Sequence, residues 1–156
     1  MRPMRGSTVS VLCCLVAARA DRRLLEVYNY EEVAKLVAND WENGDNFGKS
    51  VAIDGNTVMV GASQGDNSGP GAVYVLRAGD NSATYVEVAK LSAADAESND
   101  DFGHSVSIEG DTVLVGAPGD DDGGNRAGSA YVLRTSDGGA TYAQVAKLTA
   151  ADVTDG

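Results

Sequence analysis

From Phe47 onward the hydrophobic positions fall into short runs rich in Val, Ile and Tyr, each bounded by Gly, Asp or Asn, a pattern that predicts β-strands. Four strands are expected in the first unit: A over about Phe47 to Ile53, B over Thr57 to Ala62, C over Ala72 to Leu76 and D over Thr84 to Leu91. Only Asp54, Gly55 and Asn56 separate A from B, and Glu109, Gly110 and Asp111 fill the same interval further on. A central glycine supplies the positive φ that such a hairpin turn requires. B and C carry near-continuous apolar residues (Val58-Met59-Val60 and Val73-Tyr74-Val75-Leu76), so both of their faces should be buried. D mixes in Glu87 and Lys90, as expected of an outer strand partly facing water.

The pattern is duplicated. DNFGKSVAIDGNTVMVGA (Asp45 to Ala62) returns fifty-five residues later as DDFGHSVSIEGDTVLVGA (Asp100 to Ala117), with twelve of eighteen positions identical. GAVYVLR (Gly71 to Arg77) matches GSAYVLR (Gly128 to Arg134), and VAKLSAAD (Val88 to Asp95) matches VAKLTAAD (Val145 to Asp152). The second unit is two residues longer between Ala117 and Gly128, which marks a loop. Upstream, Tyr30 to Leu36 (YEEVAKL) aligns with Tyr85 to Leu91 (YVEVAKL). A regular period of this size signals a repeat fold. Four-stranded sheets that are apolar on both faces must be sandwiched between like neighbours, and stacking them radially gives a β-propeller. The expected fold is therefore all-β, a partial propeller of about two four-stranded antiparallel blades plus one extra strand. Gly48, Gly61 and Ala62 are expected where backbones crowd together.

The N-terminal segment reads differently. Arg2 and Arg5 precede an apolar run from Val9 to Ala18, and Ala18-Arg19-Ala20 is a small-residue cleavage site, the layout of a secretory signal peptide. The run is shorter than the ~20 residues of a membrane span, so the mature chain is expected to be secreted or at the cell surface, without membrane insertion. Cys13 and Cys14 lie inside this segment, leaving a mature chain that folds without disulfides. The whole sequence carries a formal charge of -11, and removing residues 1–20 leaves nine basic residues against 23 acidic ones, a net -14. Such a balance argues against nucleic acid and acidic membranes as partners. The chain then divides into a signal (1–20), a lone outer strand of a closing blade (21–36), blade 1 (37–91), blade 2 (92–148) and the start of a truncated next repeat (149–156). A chain complete as it stands would instead close its ring by self-association.

The order Phe-Gly, hairpin, Gly-Ala-Pro, then Gly-x-x-Tyr-Val resembles the FG-GAP repeat of integrin α-subunit head domains and of many secreted microbial and algal proteins. Phe102-Gly103 and Gly116-Ala117-Pro118 carry the full motif, while Phe47-Gly48 and Gly61-Ala62 are followed by Ser63 where proline is expected. The resemblance covers roughly residues 27 to 156 and implies a β-propeller used for extracellular recognition or adhesion. In the integrin version a calcium loop of the Asp-x-Asp-x-Asp-Gly type lies between Phe-Gly and Gly-Ala-Pro. Here that interval offers Asp54 alone, or Glu109 with Asp111, too few for an ion that takes ~6 to 8 oxygens. The chain is thus closer to calcium-free secreted variants, and no cofactor is expected.

In an up-and-down sheet the D-to-A linkers and B-to-C loops share one end. That end collects Asp40, Glu42, Asp45, Asp66, Asp95, Glu97, Asp100, Asp101, Asp120, Asp121, Asp122, Asp152 and Asp155 against the single base Arg126. The opposite end holds Asp54, Asp80, Glu109, Asp111 and Asp137. Such a rim either binds a cation or basic partner, or consists of solvated loops that keep the protein soluble. Asp120, Asp121 and Asp122 are the candidate ligands for a divalent cation. His104, the only histidine, has Lys49 as its counterpart and reads as an exposed strand-end side chain. Trp41 is either a ligand-stacking residue or a plug between blades. The residues offer no histidine beside a nucleophile and no duplicated carboxylate pair, so the expected role is not enzymatic. It is recognition of an extracellular protein or glycan, the alternatives being a structural scaffold or a non-catalytic module of a larger secreted enzyme.

Overall fold

Eight strands form where the short apolar runs lie: β1 (Phe47–Asp54), β2 (Thr57–Ala62), β3 (Ala72–Ala78) and β4 (Tyr85–Leu91) from the first repeat, and β5 (Ser105–Glu109), β6 (Thr112–Ala117), β7 (Ser129–Arg134) and β8 (Ala143–Thr149) from the second. This computed structural model describes residues 31–40, 42–63, 69–79 and 84–151. The chain divides into Met1–Glu31 and Glu32–Gly156, and the eight strands all lie in the second unit. The expected signal peptide, both cysteines, Trp41, Asp66, Asp80, Asp152 and Asp155 lie outside the described residues.

Each repeat builds one antiparallel sheet in strict chain order, β1-β2-β3-β4 and β5-β6-β7-β8. The hairpins turn at Gly55 and Gly110, both at φ +54. Registers repeat too: Val51 faces Val60 and Ile53 faces Val58 in the first sheet, as Val106 faces Val115 and Ile108 faces Val113 in the second. Both outer strands carry a bulge at the same place, where the register skips Val88 in one sheet and Val145 in the other. The fold is all-β, with two four-stranded antiparallel sheets and no helix among the described residues.

Alternation along each strand gives every sheet two faces. The front carries Tyr74 in sheet 1 and Tyr131 in sheet 2; the back carries the residues between. The back of sheet 1 (Met59, Val73, Val75, Leu91) packs on the front of sheet 2 (Phe102, Val113, Val115, Tyr131, Leu133), forming the larger core. A smaller cluster covers the front of sheet 1, where Val60, Tyr74 and Leu76 meet Ala38 and Leu36. Leu36 and Ala38 thereby take on sheet 1 the place that Leu91 and Ala93 take on sheet 2. The described part of the expected lone outer strand, residues 31–36, is not in a strand. Leu36 packs by its side chain, and no described strand pairs with the backbone of this segment.

The expectation that both faces of B and C are buried holds in sheet 1, where Met59, Val60 and Val73 through Leu76 are all buried. It fails in sheet 2, where Leu114 on the back is 44% exposed, and Leu148 on the same face of β8 is 51% exposed. The sequence pattern is the same in both. What differs is that no described residue covers the back of sheet 2.

Candidate functional site

The repeated Phe-Gly pairs sit where the chain enters each sheet. Phe102 is fully buried and packs edge-on against Tyr131, with ring centroids 5.4 Å apart; Phe47 makes the same contact with Tyr74 at 5.3 Å. Gly103 then passes over the back of sheet 1. Its carbonyl accepts a hydrogen bond from the Ser50 hydroxyl at 2.7 Å, and the Phe102 N–H donates to the Pro70 carbonyl at 2.8 Å. A Cβ on Gly61 would lie 2.0 Å from the Gly103 carbonyl oxygen, one on Gly71 2.1 Å from that of Phe102, and one on Gly103 2.3 Å from that of Ala72. The motif is thus a backbone joint between sheets, and Ser50 and Gly71, which sequence reasoning passed over, complete it. Gly48 corrects the expectation of crowding. Nothing lies within 4 Å of where its side chain would start, and its glycine is required by φ +92 instead.

Above the joint, each repeat ties a linker aspartate to a tyrosine and a lysine. In sheet 1, Asp40 accepts from the Tyr74 hydroxyl at 2.8 Å and from Lys90 Nζ at 2.6 Å, and the ammonium lies 4.9 Å from the Tyr74 ring centroid. In sheet 2, Lys147 Nζ contacts Asp95 at 2.7 Å, Asp120 at 2.8 Å and Asp122 as well, 5.3 Å from the Tyr131 ring. Asp95 stands to Asp40 at the repeat offset; Asp120 and Asp122 come from the longer β6–β7 loop. Asp120 is buried and also accepts from the Tyr131 hydroxyl at 2.6 Å and the Ser129 hydroxyl at 2.8 Å.

Burial works against the charge on Lys147, but hydrogen bonds to Asp120, Asp122 and Asp95 outweigh it and hold its pKa well above the usual lysine value. Asp120 and Asp95 are likewise disfavoured by burial as anions, yet their hydrogen bonds, above all to Lys147, keep them below the usual carboxylate range. Tyr131 is pushed up by burial and by its bond to Asp120. Of the three candidate cation ligands, Asp120 and Asp122 converge, and Asp95 joins them with carboxylate oxygens within 4.8 Å of one another; Asp121 is exposed outside the group. Such a trio could hold a cation, but the Lys147 ammonium already stands among its oxygens. Lys90 is exposed, as expected of an outer strand, yet it and Lys147 also reach the acidic loop end, so that end is less one-sided than its loops alone imply.

Other acids of that end also serve the backbone. Asp45 and Asp100, both buried, accept from the amides of Glu42 at 2.6 Å and Glu97 at 2.7 Å, and burial raises the pKa of Asp100. Glu42, Glu97 and Asp121 remain exposed, and Asp101 is half-buried. At the opposite end Asp54 accepts from the Gly110 amide at 2.7 Å, and Asp137 organises the β7–β8 loop through Thr141, Thr135 and Ala140. His104 is exposed, as expected.

The family model described as the FG-GAP repeat matches residues 30–76 and 85–133. No curated protein matches the chain.

Proposed function

The chain belongs to the FG-GAP repeat family, a β-propeller-like module, and from that premise we propose that it is a non-enzymatic, secreted or cell-surface module that recognises an extracellular protein or glycan through its loop end. The observation that carries this reading is the division of labour among the acids there. Asp45, Asp95, Asp100 and Asp120 are committed to amides, Lys147 and Tyr131, while Glu42, Glu97 and Asp121 stay exposed on both linkers and the longest loop. A contact surface needs such a rigid frame with free groups on top. A catalytic carboxylate would need a proton-transfer partner, whereas those of the cluster are held ionised around a lysine.

The test is a triple neutralisation, Glu42→Gln, Glu97→Gln and Asp121→Asn, read on an array of glycans and lysine-rich peptides. Binding should weaken by roughly threefold to a hundredfold, each exposed charge contributing about 0.2–1 kcal/mol. A control at the other end, Glu109→Gln with Asp111→Asn, should leave it unchanged. Equal losses from both variants, or no binding by the original chain, would remove the loop end as the recognition surface.

A further inference from the structure

Within the chain, the back of sheet 1 has a groove that receives Phe102-Gly103. The back of sheet 2 has the same groove, built from Ser105, Gly116, Gly128, Ala130 and Leu148 where sheet 1 has Ser50, Gly61, Gly71, Val73 and Leu91, and here it is an open depression of about 390 Å³. At the other end of the molecule stands the matching insert. Phe47-Gly48 has the conformation of Phe102-Gly103, with Gly48 at φ +92 against +89 for Gly103, and Asn46 at +51 against +58 for Asp101. Next to it, Val51 and Ile53 are each 67% exposed, whereas their counterparts Val106 and Ile108 pack into the core between the sheets.

We propose that the groove on sheet 2 receives Phe47-Gly48 of a second copy of the chain, so that copies join head to tail through the contact that already joins the two sheets within one. Ser105 then donates to the Gly48 carbonyl as Ser50 does to Gly103, and the Ala127 carbonyl accepts from Phe47 as Pro70 does from Phe102. Leu114 and Leu148 close over Val51 and Ile53. Leu36 and Ala38, which rest on the front of sheet 1, give way to Leu148 and Ala150 of the arriving copy, a leucine and an alanine at the same spacing. A contact between unlike faces closes into a ring when its rotation allows. None of this depends on which ligand the loop end takes.

Sedimentation velocity of the chain across the micromolar range tests the idea. The expected result is a mass that rises with concentration to a small multiple of one chain. Leu114→Arg spoils one face and Ile53→Arg the other, and each should weaken association by at least about tenfold because an arginine would be buried unpaired. Both residues are exposed in the single chain, so far-UV circular dichroism should be unchanged; Leu148→Arg and Val51→Arg serve if either variant misfolds. Because each variant keeps the face the other has lost, an equimolar mixture should form a two-chain species that neither forms alone. A single-chain mass for the unaltered protein at every concentration would overturn the proposal, as would association that survives Leu114→Arg or a mixture that stays single.

Discussion

Gly103→Ala is expected to destabilise the protein by about 4 kcal/mol or more, at the far end of what single substitutions do. Gly48→Ala should cost only about 1–2 kcal/mol, the usual penalty for a side chain in left-handed backbone. The two positions are repeat equivalents with nearly equal φ, +89 and +92, so their conformational penalties should nearly cancel in the comparison. The difference is the sheet-to-sheet joint. A methyl group at residue 103 would sit 2.3 Å from the Ala72 carbonyl oxygen, a backbone atom that moves only if β3 moves, whereas at residue 48 it meets nothing within 4 Å. Urea unfolding of the two variants measures the difference directly; equal midpoints would mean that the joint gives way without cost.

Lys147→Met carries the second large effect. It should cost about 3 kcal/mol, because removing one partner of a buried ion pair leaves uncompensated charge, and here three carboxylates share the ammonium. The side chains of Lys147 and Asp120 are 18% and 3% exposed. In sheet 1 the equivalent Lys90 and Asp40 are each about half exposed, at 45% and 52%, so Lys90→Met should cost less than about 1 kcal/mol. The pH dependence has a definite sign. In the unaltered protein Asp95 and Asp120 titrate below their unfolded value of 3.8, so the stability they contribute is present above that pH and is lost as pH falls through their folded values. In Lys147→Met the lowering partner is gone and the carboxylates repel, raising their folded pKa values. The variant should therefore recover part of its loss on going from pH 7 toward about 4. Millimolar calcium should raise the variant's melting temperature and leave that of the unaltered protein nearly unmoved, since an ion must displace Lys147 in the latter. Melting curves at several pH values, with and without calcium, decide both points.

Local patterning carried most of the fold. Val, Ile and Tyr between Gly and Asp placed the first four strands to within two residues at each end, and Gly55 and Gly110 fixed the turns. The duplication then showed that the sheets are equivalent. What local pattern could not show was neighbourhood: Leu114 and Met59 occupy one repeat position, and only packing makes one exposed and the other buried. The polar cluster was hidden for a similar reason. Lys90 read as an outer-strand residue partly facing water and Asp95 as one acid among many, because the meeting of Asp95 with Lys147 depends on a linker 52 residues away folding back over β8. The signal lay in the repeat itself, since aspartate, tyrosine and lysine recur in register as Asp40, Tyr74 and Lys90 and again as Asp95, Tyr131 and Lys147. Residues kept together in both copies, though far apart in each, mark a contact.

The strict chain order of the strands also sets a timetable for folding. Every ladder joins consecutive strands, so each sheet can zip from its hairpins, whose formation takes roughly microseconds. The contact of Ser50 with Gly103 spans 53 residues and cannot form until both meanders exist. Docking of one finished sheet on the other is then the slow step, and amides of β2 and β3 should gain protection from exchange in two phases, the second coinciding with the burial of Phe102.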